Sequence, residues 1–484
     1  MSLNRLNKEF DSSEHKSLGN VKLPGLSAEF NKFAFQPGGA ELTFGEIIAL
    51  AGDYFGVEQE PIALGETEEE RRKRFLDAYA TLANCPSEKV YALTNIFVNE
   101  EAAAKEAISE GVDETVGMDK ITPEETKIAL KSTDGHYLTL ALHNLDHFNK
   151  FAQIAYDTGY TLAMEAAVEA ANLEDTTAQQ KKLEYAYTLY AFGCHFMTDL
   201  FAAGHMRTPT AELREKFGAE IGSTLTFLQH NEDGDLGLVV EGGNINDDTV
   251  SQWMAYGDGH LFEKKSLENQ SRALNTVQLG VNELYQAFET KQAKPAHESG
   301  VKKLIPNPLS KNHPPMFKVN DGKLLCRVPL EGEPVDQYEK LNHLKAYEIL
   351  AIHAKKMAHT AIVDKINECK LQVEKKLKEK EENLKKQATA EQQTNQNKPI
   401  KQDEIVTQEE LVKQEVQKNK IYEIDFESLN SHSMFSNSEL RKRGVPNQSN
   451  SRSLSESDDS NVSFELAEDE EKKRGICPIK CNIF

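Results

Sequence analysis

The sequence predicts a mainly α-helical domain with a few short strands, followed by a long disordered tail. Three observations lead there. Apolar residues recur at helical spacing through the first half of the chain. Beyond about Cys369, Lys, Glu, Gln, Asn and Ser take over and aromatics nearly vanish. Glycine-rich strand and turn signals are confined to two short stretches.

In chain order, residues 40–165 read largely as helices. Leu138, Leu142, Leu145, Phe148, Phe151 and Ile154 recur at steps of three or four, which gives one apolar face over several turns. A second helix runs from Gln179 to Phe201, with Leu183, Tyr187, Tyr190 and Leu200 among its apolar positions. Between them NLEDTT, at 172–177, supplies a polar break and caps. DGDLGLVVEGG, at 233–243, reads as a loop and a short strand. FKVNDGKLLCRV, at 317–328, alternates around Asn-Asp-Gly and predicts a hairpin. Leu341 to Ala361 returns to helix, with Leu341, Leu344, Tyr347 and Ala351 on one side. From Glu374 the Lys/Glu run lacks apolar spacing and cannot pack a core. The expected division is a folded domain over 1–370, a charged helical or disordered linker over 371–420, a disordered Ser/acidic tail over 421–476, and a distinct terminus at 477–484.

The net charge of −22 argues against non-specific nucleic-acid binding, because a polyanion would be repelled. The amino terminus, MSLNRLNKEFDSSEHKSLGN, has no apolar run, so no secretory signal peptide is expected. No segment reaches the roughly 18 uninterrupted apolar residues that a spanning helix needs. The six cysteines are scattered, which suits a reducing cytosol rather than a disulfide framework.

The sharpest chemical signal is His195-x3-Asp199-x5-His205. His195 and Asp199 are four apart on a predicted helix, so they project from one face and can hold one cation. Gly204 is expected to break the helix and let His205 fold back toward the same point. Histidine with carboxylate suits zinc in a site that keeps open positions for water. His136, His143 and His147 share one face of the earlier predicted helix, where one reads as a ligand and the others as polar packing or support. His15 precedes a small-residue turn and is placed to cap the site. Asp53 follows an apolar helix and a glycine; a turn or cap role is its alternative. His230 opens an acidic cluster with Asp233 and Asp235.

These residues resemble the bacterial zinc-dependent phospholipases C, a superfamily that also contains single-strand-specific nucleases. The flanking words LTFGEIIALAGDYFG, GHYLTLALHNLDHF, HFMTDLFAAGHMRTP and WMAYGDGHL look like the phosphatidylcholine-hydrolysing branch, over roughly residues 12–350. The resemblance implies a helical zinc phospholipase C-like catalytic domain with ligands at His15, Asp53, His136, His195, Asp199, His205 and His230, and Asp233 as the carboxylate partner of His230. The compact secreted enzymes have His-x3-Glu there, whereas Gly234 holds that place here, so Glu232, Asp233 and Asp235 all remain open. Those enzymes also use their processed first residue as a ligand; fourteen residues precede His15 here, with Glu14 a replacement. Two or three zinc ions are implied. The cofactor suits phosphodiester hydrolysis because metals neutralise charge on phosphate oxygens and lower the pKa of bound water to about 7. By the same resemblance Asp53 orients or deprotonates the water. Arg207 is either a clamp on phosphate or headgroup, or a surface arginine. A single-strand nuclease and a non-catalytic membrane-tethered scaffold are the rival readings.

The carboxyl terminus reads Cys477-Pro-Ile-Lys-Cys481-Asn-Ile-Phe484. A cysteine fourth from the end and a terminal Phe resemble a geranylgeranylation signal, although Asn482 departs from the aliphatic preference. Cys477 is a candidate for palmitoylation, and Lys472, Lys473 and Arg474 form a basic patch that anionic lipids attract. Such prenyltransferases work in eukaryotic cytosol. The motif therefore predicts a bacterial effector, exported without an amino-terminal signal, with a host prenyltransferase as partner and phospholipid membrane as substrate.

Overall fold

From Leu183 onward the second predicted helix carries so few polar residues that it can be buried on every side. In the computed structural model every residue from Ala186 to Asp199 of this helix is buried, within a mainly helical domain. The structure describes residues 12–356 apart from 28, 29, 31, 36–38, 144, 310, 311 and 330–334, together with 371, 375, 378 and 379. Apart from those last four positions, the linker, the Ser/acidic tail and the terminus with Cys477 and Cys481 lie outside the described residues.

The helices are α1 (Ser12–Leu18), α2 (Phe44–Leu50), α3 (Glu68–Ala83), α4 (Ser87–Ser109), α5 (Glu114–Ser132), α6 (His136–His143), α7 (Asn149–Ala171), α8 (Thr176–Asp199), α9 (Ala203–Met206), α10 (Thr210–Phe217), α11 (Ala219–Leu236), α12 (Leu267–Thr290), α13 (Val301–Leu304) and α14 (His343–Lys356). The strands are β1 (Phe33–Ala34), β2 (Glu41–Leu42), β3 (Leu238–Gly243), β4 (Val250–Ala255), β5 (Asn307–Pro308), β6 (Phe317–Asn320), β7 (Lys323–Arg327) and β8 (Tyr338–Lys340). They form three small antiparallel sheets, β1-β2, β4-β3-β5 and β6-β7-β8.

Helices α7 and α8 pack along their length, with α2, α3 and α12 around them. A Cβ on Gly159 would lie 3.0 Å from the Cα of Gly193, so the two glycines set how closely these helices cross. The turn between them is capped by Asp175, whose carboxylate accepts from the Ala178 N–H at 2.7 Å. Buried tyrosines line the core with their hydroxyls satisfied: Tyr160 donates to Glu283 at 3.0 Å and Tyr187 to the Pro24 carbonyl at 2.7 Å. The predicted hairpin is β6–β7, and its turn residues Asp321 and Gly322 both take positive φ, as a tight hairpin requires.

Two expectations are corrected. The apolar face from Leu138 to Ile154 is not one helix, because α6 ends at His143 and α7 begins at Asn149. Asp146 sits in the gap and accepts from the backbone N–H groups of Ile62 and Ala63 at 2.6 and 2.9 Å, which draws the chain out of helical register. The segment 233–236, expected as loop, is the last turn of α11, which stops at Gly237 with φ +70. Asp233 is held there by buried ion pairs, and Gly234 lies against Gly257.

Candidate metal centre

The i, i+4 spacing of His195 and Asp199 places both on the inner face of α8, fully buried. The turn after α2 brings up Asp53. Its preceding residue must be glycine for two reasons: Gly52 has φ +74, and a Cβ there would lie 2.3 Å from the His195 ring. His15 comes from α1, His147 from the turn between α6 and α7, His205 from α9 and His230 from α11. Asp258 follows β4.

Two groups of side chains result. In the first, His147 Nδ1 lies 2.9 Å from Asp199 Oδ2 and 3.2 Å from His195 Nε2. Asp53 Oδ1 stands 3.7 Å from His195 Nε2 and 3.8 Å from His147 Nε2. The other oxygen of Asp199, Oδ1, faces His15 Nε2 at 3.4 Å, so one carboxylate serves two neighbouring positions. In the second group His205 Nε2 and His230 Nε2 are 2.9 Å apart, and Asp258 Oδ2 lies 2.8 Å from His230 and 3.5 Å from His205. His15 and Asp258 line one small cavity of about 20 Å³, which links the two groups.

Hydrogen bonds set how the rings present themselves. His195 Nδ1 donates to the Ile48 carbonyl at 2.9 Å and His205 Nδ1 to the His147 carbonyl at 2.8 Å. His230 Nδ1 donates to the Asn231 side-chain oxygen at 3.0 Å. The Thr198 hydroxyl gives its own hydrogen to the carbonyls of Cys194 and His195, so it accepts from His15 Nδ1 at 2.7 Å. All four imidazoles therefore turn a bare Nε2 toward the centre, the form that ligates a metal. Burial holds His15 down to about 3 and His205 to about 4, and pushes His147 and His195 down as well, which keeps these rings neutral. For His230 burial acts downward, but the Asp258 carboxylate outweighs it and the pKa rises. Asp199 is raised well above the usual carboxylate range by burial and by the charge of Asp258.

The donor set fits zinc. A tetrahedron with bonds of about 2.1 Å has edges of about 3.4 Å; the ligand atoms of each group lie within 4.8 Å of one another, with several pairs at 2.8 to 3.9 Å. His147, His195 and Asp199 would hold one ion, and His205, His230 and Asp258 another, while His15, Asp53 and His195 form a group that overlaps the first. His15 with Asp199 Oδ1 offers a partial third position.

Four expected roles are corrected. His136 is not in the centre: its ring is 42% exposed and contacts Glu58 at 2.5 Å. Breaking the predicted helix put His147 in its place, while His143 bonds back to the Thr139 carbonyl at 3.0 Å. Asp233 is taken by Arg207 at 2.6 Å and His313 at 2.9 Å, and Glu232 by Arg327 at 2.7 Å. Asp235 faces His260 at 3.6 Å, so none of the three carboxylates nearest His230 is its partner. Arg207 is no surface arginine. Its fork holds Asp233 one turn from His230, and its outer edge borders a cleft of about 770 Å³ with Asn149, Lys150, His313, Phe317 and Lys318. Glu14 is not a ligand; it accepts from the N–H groups of Gly259 and Leu261 at 3.0 and 2.6 Å and so holds the loop bearing Asp258.

Asp258 was missed, although it stands inside WMAYGDGHL, and its Gly-Asp pair repeats the Gly-Asp that flagged Asp53. Gly234 has a part in placing this carboxylate. Its bare Cα lets Gly257 approach, with a backbone hydrogen bond of 3.1 Å, and the next residue delivers the acid. Comparison of the chain with protein-family models, curated proteins and solved structures found no match.

Proposed function

We propose that the protein is a zinc-dependent phosphoric diester hydrolase, a phospholipase C acting on glycerophospholipids of the phosphatidylcholine type. The observation that carries this reading is the convergence of five imidazoles and three carboxylates from several elements, four of the rings locked with Nε2 inward. When bound, zinc would supply Lewis-acid stabilisation of a phosphoryl oxygen and acidify a water toward neutrality.

The chain's own residues divide the remaining work. Asp199 and Asp258 are enclosed, with side-chain exposures of 0% and 1%, and suit ligation alone. Asp53 is 18% exposed, so an incoming water can reach it, and it is the residue proposed to orient that water and take its proton. Asp233, braced by Arg207 and His313, keeps the His230 turn of α11 in place. The cleft beside Arg207 combines Lys150 and Lys318, and the acids Glu212 and Asp336, with the apolar Pro314, Pro315 and Phe317, a mixture of both charges and apolar surface that suits a zwitterionic phospholipid.

The test uses phosphatidylcholine vesicles and single-stranded DNA as parallel substrates, with chelator and with zinc restored. Release of phosphorylated headgroup that a chelator abolishes and zinc restores is the expected result. Cleavage of DNA alone would assign the nuclease reading. No turnover of either by metal-loaded protein would leave a non-catalytic scaffold.

A further inference from the structure

A second set of ligand-type side chains lies outside the candidate centre, around His260. The ring is 4% exposed; Nδ1 lies 3.2 Å from Glu263 Oε1 and 3.8 Å from Asp113 Oδ1. On the opposite edge Nε2 faces Asp235 Oδ1 at 3.6 Å. These carboxylates come from three places in the fold: the turn between α4 and α5, the last turn of α11, and the segment just before α12. Asp113 and Asp235 are 44% and 42% exposed, so the cluster opens to solvent on its acidic side and is closed by the imidazole. Lys265 offsets one charge at 2.8 Å from Glu263. Even a protonated His260 would leave one negative charge in excess, and Glu263 is held down at about 2 despite its burial.

We propose that Asp113, His260 and Glu263 bind one divalent transition-metal ion, zinc or manganese, at a site separate from the candidate centre. Their ligand atoms lie within 4.8 Å of one another. An imidazole joined to carboxylates favours such ions over calcium or magnesium, which prefer oxygen throughout. With Nδ1 facing the ion, Nε2–H points at Asp235, the carboxylate–histidine–metal arrangement that fixes a ring's tautomer and orientation. The site has a structural consequence because His260 is two residues beyond Asp258. Glu14 grips this loop from the α1 side through Gly259 and Leu261. An ion at His260 ties the same loop to the α4–α5 turn, while the ring's other edge faces Asp235 of α11, and so steadies the carboxylate that faces His205 and His230.

The test counts metal ions in the full-length protein and does not depend on the phosphodiesterase reading. Bound Mn2+ is followed by electron paramagnetic resonance and bound zinc by elemental analysis, in wild type, Asp113→Asn/Glu263→Gln and His195→Ala. The expected result is one equivalent fewer in the double variant than in wild type, with that equivalent retained in His195→Ala. Equal stoichiometry in wild type and the double variant overturns the proposal. Should the double variant fold poorly, Asp113→Asn alone alters only an exposed turn. It is expected to weaken binding of this ion about tenfold or more, and unchanged affinity would likewise overturn the site.

Discussion

Two Nε2 lone pairs facing each other at 2.9 Å, as in His205 and His230, repel unless a cation or a proton lies between them. At the residue scale this makes the centre a set of mutually dependent groups, and each substitution has a specific expected effect. His147→Ala should weaken zinc retention about tenfold or more and abolish turnover, because a ligand and a contact to Asp199 go together. His136→Ala should leave metal content unchanged, since that ring answers only Glu58 and the Gly56 carbonyl in the contacts seen. Metal analysis of the two purified variants decides between them; loss of zinc in the His136 variant alone would reverse the assignment. Gly52→Ala meets both a left-handed backbone, worth about 1–2 kcal/mol, and the His195 ring at 2.3 Å. It should lower the melting temperature and displace metal, and a fully metallated variant of unchanged stability would contradict the stated geometry.

At the scale of elements, the second group depends on a loop meeting a helix. Asp258→Asn should remove the ion held by His205 and His230 while sparing the His195 group, read as a fall of about one zinc equivalent. Gly234→Glu should not rescue it, because Gly234 lies where Gly257 approaches and a side chain there would push the loop away. Rescue by that second change would show that the helix position can still deliver a carboxylate. This pair also marks how far the sequence was legible. His195 and Asp199 could be read because i, i+4 spacing on one helix is a local property. His205 was named from its spacing after Asp199, and His15, Asp53 and His230 from their local sequence and the resemblance; the structure places these four in the His/Asp groups. His147 was one of three histidines left open and Asp258 was not singled out, because their placement depends on long-range contacts: Asp146 pulling the chain out of helix at 145–148, and two glycines touching across 23 residues of sequence. Helix α11 was misread for the same reason. Its Gly-Asp-rich end looks like a loop until Arg207 and His313 satisfy Asp233.

At the scale of the whole molecule, every candidate ligand among the described residues lies between His15 and His260–Glu263, and the β6-β7-β8 sheet and α14 follow them up to Lys356. A chain ending at residue 370 should therefore retain zinc and hydrolysis; loss of both in a folded truncation would assign the remainder a role in the centre. The proposed lipid attachment belongs to that remainder. Among the described residues no helix is long and apolar enough to cross a membrane. In eukaryotic cells the full chain should partition with membranes and Cys481→Ser should not; equal membrane fractions, with no prenyl mass on the terminal peptide, would remove the anchor and leave the hydrolase reading intact. Helix α1 has a consequence of its own. His15 meets Thr198 across 183 residues, and Glu14 meets Leu261 across 247. The ions would thus act as a clasp on an early segment whose partners are synthesised 183 and 247 residues later, closing a long loop whose entropy resists it. A nascent chain could not complete both groups until Asp258 had emerged, and stripping the metal should loosen the beginning of the chain before its centre. Trypsin with chelator should then cut first at the exposed Lys22, ahead of any site in α7 or α8, and restored zinc should protect that bond.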